Sequence, residues 1–148
     1  MKRTDQVLVV NVGSSSIKLR LLDATDAVLD ARDLSSPGDD DALRIALADF
    51  AGVPTVGHRI VHGGMRFQAA AVVDSVVRTA LAELVALAPL HQPPALAALD
   101  CARAALPDAT QVACFDTAFH ATLPAEAATY AVPGAWREQF GVRRYGFH

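Results

Sequence analysis

The stretch that most narrows what this chain can fold into runs from Val7 to Leu21. Val7-Leu8-Val9-Val10-Asn11-Val12 is an almost unbroken apolar run, Gly13-Ser14-Ser15-Ser16 follows, and then Ile17, Leu19 and Leu21 alternate with Lys18 and Arg20. A short β-branched run closed by glycine reads as a buried strand, and strict alternation reads as a half-buried one. Four polar residues between them make a hairpin. Of the 148 residues, 52% are hydrophobic, and a globule of this length buries about 68–70% of its unfolded surface. This excludes disorder as the main state.

The remaining pattern extends the hairpin into a layered fold. Ala27 to Asp33 is a candidate third strand, and 35–38 is a loop. Asp39, Asp40 and Asp41 precede Leu43, Ala46, Leu47 and Phe50 at helical spacing, with acids at the positive end of the helix dipole. Thr55 to His62 reads as a strand ending in Gly63-Gly64. Asp74 or Ser75 caps a helix whose face carries Val77, Leu81, Leu84, Val85 and Ala88. A proline-rich loop over 89–94 leads into a helix to about Leu106, with proline in its first turn, and Gln111 to Phe115 is another strand. The tail from Tyr130 is rich in turns and aromatics and carries no clear element. Strands first, then helices alternating with strands, predict an α/β layer fold with a mixed sheet.

Composition excludes several functions. Sixteen acidic residues against thirteen basic, net charge −3, argue against a surface for nucleic acid or anionic lipid. The apolar stretches are broken by Glu83, Asp100 and Arg103, below the ~18 residues that span a bilayer. Asn11, Gly13 and the serines interrupt the start before a signal-peptide core forms. Cys101 and Cys114 read as small buried thiols of a reducing compartment, which predicts a cytoplasmic protein.

Three segments carry candidate chemistry. Asn11 to Lys18 offers backbone amides, hydroxyls and a nearby cation that suit a phosphate, but lacks the second glycine and Lys-Ser/Thr pair of a Walker loop; an ordinary hairpin with a polar tip fits as well. In Thr55 to Gly64, alternation sets Gly57, Arg59 and Val61 on one face and Val56, His58, Ile60 and His62 on the other. Arg59 with Val61 suits a small carboxylic acid, guanidinium to carboxylate and valine to carbon tail; a snorkelling arginine is the alternative. His58 and His62, roughly 13 Å apart along a strand, are too distant for one tetrahedral metal and read as hydrogen-bonded structural histidines. Asp116 stands just past a strand's carboxyl end, where open α/β sheets bind ligands; it suits either a Mg²⁺-bound phosphate or a helix cap. No Gly-x-Ser-x-Gly elbow supports a Ser/His/Asp hydrolase.

Taken in order, the segments NVGSSSIK, GHRIVHGG, APLHQPPA, FDTAFH and RRYGFH resemble the signature blocks of the acetate kinase family, within the superfamily of acetate and sugar kinases, heat-shock ATPases and actin. The resemblance reaches from Asn11 to His148. It implies a ribonuclease-H-like mixed sheet flanked by helices, with residues 1–148 forming the N-terminal, substrate-side domain and the C-terminal nucleotide-binding domain absent. It further implies reversible transfer of the ATP γ-phosphoryl group to acetate, giving acetyl phosphate and ADP, with Mg²⁺ as cofactor. By matching blocks, Ser14, Ser16 and Lys18 resemble the phosphate-binding residues and Asn11 a residue on the metal side. Arg59 resembles the arginine that holds carboxylate and phosphoryl group, and Val61, Leu90 and Phe147 the acetate methyl pocket. Asp116 and His148 resemble the essential aspartate and the transition-state histidine. The family usually carries a longer segment between Lys18 and Arg59. Its adenosine-binding motifs, a second arginine and a metal-binding glutamate lie beyond these blocks, so the chain alone is expected to be inactive. The family also implies a homodimer for the full-length protein. A propionate or butyrate kinase domain, or a noncatalytic binding domain of the same fold, are the alternatives.

Overall fold

The computed structural model describes residues 5–35 and 39–146. The apolar run of β1 (Val7–Val12) pairs antiparallel with the alternating β2 (Ile17–Leu22), Val12 opposite Ile17 and Asn11 opposite Lys18. The turn between them is closed by the Gly13 amide donating to the Ser16 carbonyl at 2.8 Å. β3 (Val28–Leu34) continues the meander at the sheet edge. The predicted loop falls largely on residues 36–38, outside the described residues.

Helix α1 (Asp40–Ala48) starts where Asp39 accepts a hydrogen bond from the Ala42 amide at 2.9 Å, which satisfies one of the open amides of its first turn. Its Leu43, Ala46 and Leu47 are buried. It carries the chain to β4 (Thr55–Ile60), parallel to β1. β4 alternates as predicted, with Val56, His58 and Ile60 buried, but ends two residues earlier than His62. At this point the chain bends through Gly63 and Gly64. A Cβ on Gly63 would lie 2.6 Å from the Phe67 carbonyl, and Gly64 has φ +60°, so both glycines answer to close packing and a left-handed turn.

A two-residue strand, β5 (Ala71–Val72), is too short to leave a periodic signal and went unpredicted. Asp74 caps α2 (Ser75–Glu83) by accepting from the Val77 amide at 2.7 Å. Leu84 to Leu87 then tighten into a 3₁₀ turn, so Leu84 and Val85 fall beyond the α-helix. Helix α3 (Gln92–Ala105) begins inside the predicted proline loop. Pro93 and Pro94 sit in its first turn, where no intrahelical amide bond is lost. β6 (Thr110–Phe115) lies parallel to β4 and antiparallel to β5. The six strands take the order β3-β2-β1-β4-β6-β5, the mixed sheet that the pattern predicted. Two short helices, α4 (Ala125–Ala128) and α5 (Gly134–Phe140), occupy the tail.

Helices α1, α2 and α3 cover one face of the sheet. Leu8, Val10, Leu19 and Val56 pack with Leu43, Leu47, Ala98 and Ala102, and Ile60, Ala113 and Phe115 pack with Leu81, Leu96 and Leu99. On the opposite face Val9, Gly57 and Val112 are half-buried and Cys114 is exposed. The expectation of two buried thiols is therefore corrected: Cys101 is half-buried, and alternation about the buried Ala113 and Phe115 turns Cys114 away from the helices.

Candidate functional site

Three parallel strands, β1, β4 and β6, run side by side and end together, so the residues at their carboxyl ends converge although they come from distant parts of the chain. Arg59 is the penultimate residue of β4, paired with Cys114, and Asp116 follows the end of β6. Arg59 Nε donates to Asp116 Oδ1 at 2.9 Å and Nη2 to Oδ2 at 2.7 Å, a two-pronged ion pair. Arg59 Nη1 donates to Asn11 Oδ1 at 3.3 Å across from β1. The Asp116 hydrogen bonds push the guanidinium further up from its ordinary pKa, outweighing partial burial. Asp116 makes no helix cap; its carboxylate is taken by Arg59.

Val12, Gly13, Ser14, Arg59, Val61, His91 and Asp116 line a cavity of about 290 Å³. Its lining combines the hairpin tip, the Arg59–Asp116 pair and the buried Val61. Of the five guanidinium N–H groups, three are engaged by Asp116 and Asn11. The other two remain for an anion. Among the described residues the Ser14 and Ser15 amides have no protein partner, whereas the Gly13 amide is spent on the turn.

The other predicted residues lie at varying distances from this centre. Ser16 is half-buried under the hairpin tip, and Lys18 is exposed on the strand beside Asn11. Leu90 is 83% exposed and lies outside the cavity lining; its neighbour His91 takes the place there. Phe147 and His148 lie outside the described residues. Of their block, the Tyr145 ring meets His62 edge-on, with centroids 4.4 Å apart, outside the cavity lining. His91 is the lining residue that pattern reading missed, its only signal being a histidine at the start of a proline-led helix.

His58 and His62 are structural. His58 shares a 2.7 Å hydrogen bond with the Gln111 side chain, and burial pushes its pKa down. His62 Nδ1 accepts from the Gly64 amide at 2.9 Å, and burial lowers its pKa too. As for a metal, Asp116 and Asn11 supply one carboxylate and one amide oxygen. That set is too small for an all-protein cage, and its three oxygens already accept from Arg59; Mg²⁺ would use their remaining lone pairs and take waters and substrate phosphates as its other ligands.

The description "Acetokinase family" belongs to a family model that matches residues 41–148. The acetate kinase of Thermosipho melanesiensis is 37% identical over 177 residues, covering 96% of this chain and 44% of that protein. Among solved structures, the acetate kinase of Porphyromonas gingivalis superposes with a TM-score of 0.82 at 32% identity, covering 98% of this chain and 45% of that one. The propionate kinase of Francisella tularensis superposes at 0.81 with 29% identity, covering 97% and 45%. The chain thus spans under half the length of the relatives it matches.

Proposed function

This chain belongs to the acetokinase family, and from that premise we propose that it is the substrate-side domain of an acetate kinase, holding the carboxylic acid that exchanges a phosphoryl group with ATP. The observation that carries the reading is the Arg59–Asp116 pair beside Val61 in one cavity. Acetate is already ionised at neutral pH and needs no general base. The protein's task is to align it and to balance charge on the transferring group.

The two guanidinium N–H groups not engaged by Asp116 and Asn11 suit an acid carboxylate, with Val61 against its methyl group. Asp116 fixes the plane of that guanidinium. Ser14 at the hairpin tip faces the phosphate side of the cavity, with Lys18 adding positive charge nearby. Mg²⁺, when bound, would neutralise phosphate charge, with Asp116 and Asn11 as its protein ligands in this half. His148 and Phe147 complete the site on the resemblance of their block. ATP binding, assembly as a homodimer and a cytoplasmic home belong to the same reading. The likeness to a propionate kinase structure supports a second reading, a three-carbon acid in the same cavity.

Titration of the ¹⁵N-labelled chain with acetate, followed by amide NMR, tests the proposal. Resonances of Arg59, Val61, His91 and Asp116 are expected to move. Arg59→Ala should weaken binding by about 10–100-fold, the worth of a charge-assisted hydrogen-bond set. A wild-type spectrum that ignores acetate, propionate and acetyl phosphate alike would overturn it. Binding without any ATP formation from acetyl phosphate and ADP, even when the C-terminal half of a relative is supplied, would favour the noncatalytic alternative.

A further inference from the structure

The APLHQPPA block contributes one residue that the site description does not use. Gln92, at the start of α3, has a fully buried side chain. Its Nε2 donates to the His62 carbonyl at 3.0 Å and to the Leu81 carbonyl at 3.4 Å, and its Oε1 accepts from the His62 amide at 3.4 Å. A buried primary amide is costly unless its donors and acceptor find partners, and here they find the backbone of a segment 30 residues away in sequence.

The placement matters because β4 has already ended at Ile60. On one side, the Thr117 amide donates to the Val61 carbonyl at 3.3 Å. On the other, Gln92 takes both backbone groups of His62, as a neighbouring strand would. Val61 adjoins His62 and His91 adjoins Gln92, and both neighbours line the cavity. The clamp therefore ties two of its walls together through a single side chain.

Resting on the carboxylate reading above, we infer that Gln92 is a positioning residue that sets the spacing between the Val61 and His91 walls, and through it the length of acid that the cavity accepts. An apolar wall discriminates about 10–200-fold per methylene when it is held in place. A wall that yields loses that discrimination.

The test uses the 148-residue chain and two variants, Gln92→Leu, which keeps volume but no hydrogen bonds, and Gln92→Asn, which keeps the amide but shortens its reach. Dissociation constants for acetate, propionate and butyrate are measured by NMR titration, with circular dichroism reporting folding. The wild type should discriminate between acetate and butyrate, and the folded variants should discriminate about tenfold less. The Gln92 side-chain amide resonances of the wild type should also move more with butyrate than with acetate, a readout that needs no variant. Folded variants with an unchanged acetate-to-butyrate ratio would leave Gln92 a purely structural residue and overturn the inference while the carboxylate reading stands. If neither variant folds, a Gln92 amide signal indifferent to acid length overturns it. A wild type that binds none of the acids overturns the carboxylate reading itself, and this inference with it.

Discussion

The strand ends that carry Arg59 and Asp116 and the segment from Ala121 to Gly146 are both rich in polar and aromatic residues, yet they are built differently. The first stands on a buried layer: Ile60 and Phe115, beside the site residues, pack into the core with Leu96 and Leu99. The second has almost no core of its own. Helix α5 contains no buried residue, Trp136 and Phe140 lie on it exposed, and Ala128 is the buried side chain of α4. It is joined to the rest of the chain through side chains, the Tyr145 ring against His62 and Arg143 Nη1 donating to Met65 Sδ at 3.3 Å, and is braced within itself by bonds such as the Arg144 amide donating to the Ala128 carbonyl at 2.8 Å. A site whose groups must hold their geometry stands on the rigid layer, and aromatic content alone says little about where the layer is.

The comparison is sharpest in stability. Leu99→Ala, at a fully buried position of α3, removes a side chain between helix and sheet and should destabilise the chain by about 3–4 kcal/mol, read as a shifted urea midpoint. A shift below about 1 kcal/mol would mean that the layer under the site is no firmer than the tail. Acid should loosen the same layer more gently. His58 is buried within it with its pKa pushed below the ordinary histidine value by burial, so the unfolded chain binds the proton more readily. Stability from this group is full above about pH 6.5 and is lost as pH falls below it. Between pH 7.5 and 5.5 the wild type should lose stability through His58, and His58→Gln should lose less over that range than the wild type. Equal acid losses in the two proteins would remove His58 from the account. The smallest effect belongs to the tail: Trp136→Ala should change stability by less than about 0.5 kcal/mol. A larger drop would show that α5 is held by contacts as firm as those of the sheet.

Reading the chain as a pattern captured the elements whose signal is local. The hairpin of β1 and β2, the alternation of β4, acids at the start of α1 and a cap at Asp74 or Ser75 all follow from spacing within a dozen residues, whereas the pattern reads Asp39 as a dipole acid and not as the cap it is. β5 was missed because two residues hold no period, and the exposure of Cys114 was missed because its apolar surroundings hide which face of β6 it occupies. Asp116 could be narrowed only to a metal ligand or a cap, since nothing near it in sequence announces Arg59, 57 residues away.

The residue types at the candidate site were thus settled by the sequence: an arginine and a valine two apart, an aspartate past a strand and a glycine-serine turn. Their meeting was decided by strand order. Placing β4 between β1 and β6, all parallel, brings Asn11, Arg59 and Asp116 within hydrogen-bond reach. Hydrogen bonds act over about 3 Å, while strand periodicity reports only which face a residue occupies. Which residues pair, how Gln92 clamps His62 and which side chains share a cavity therefore rest on the packing of layers, which no local pattern encodes.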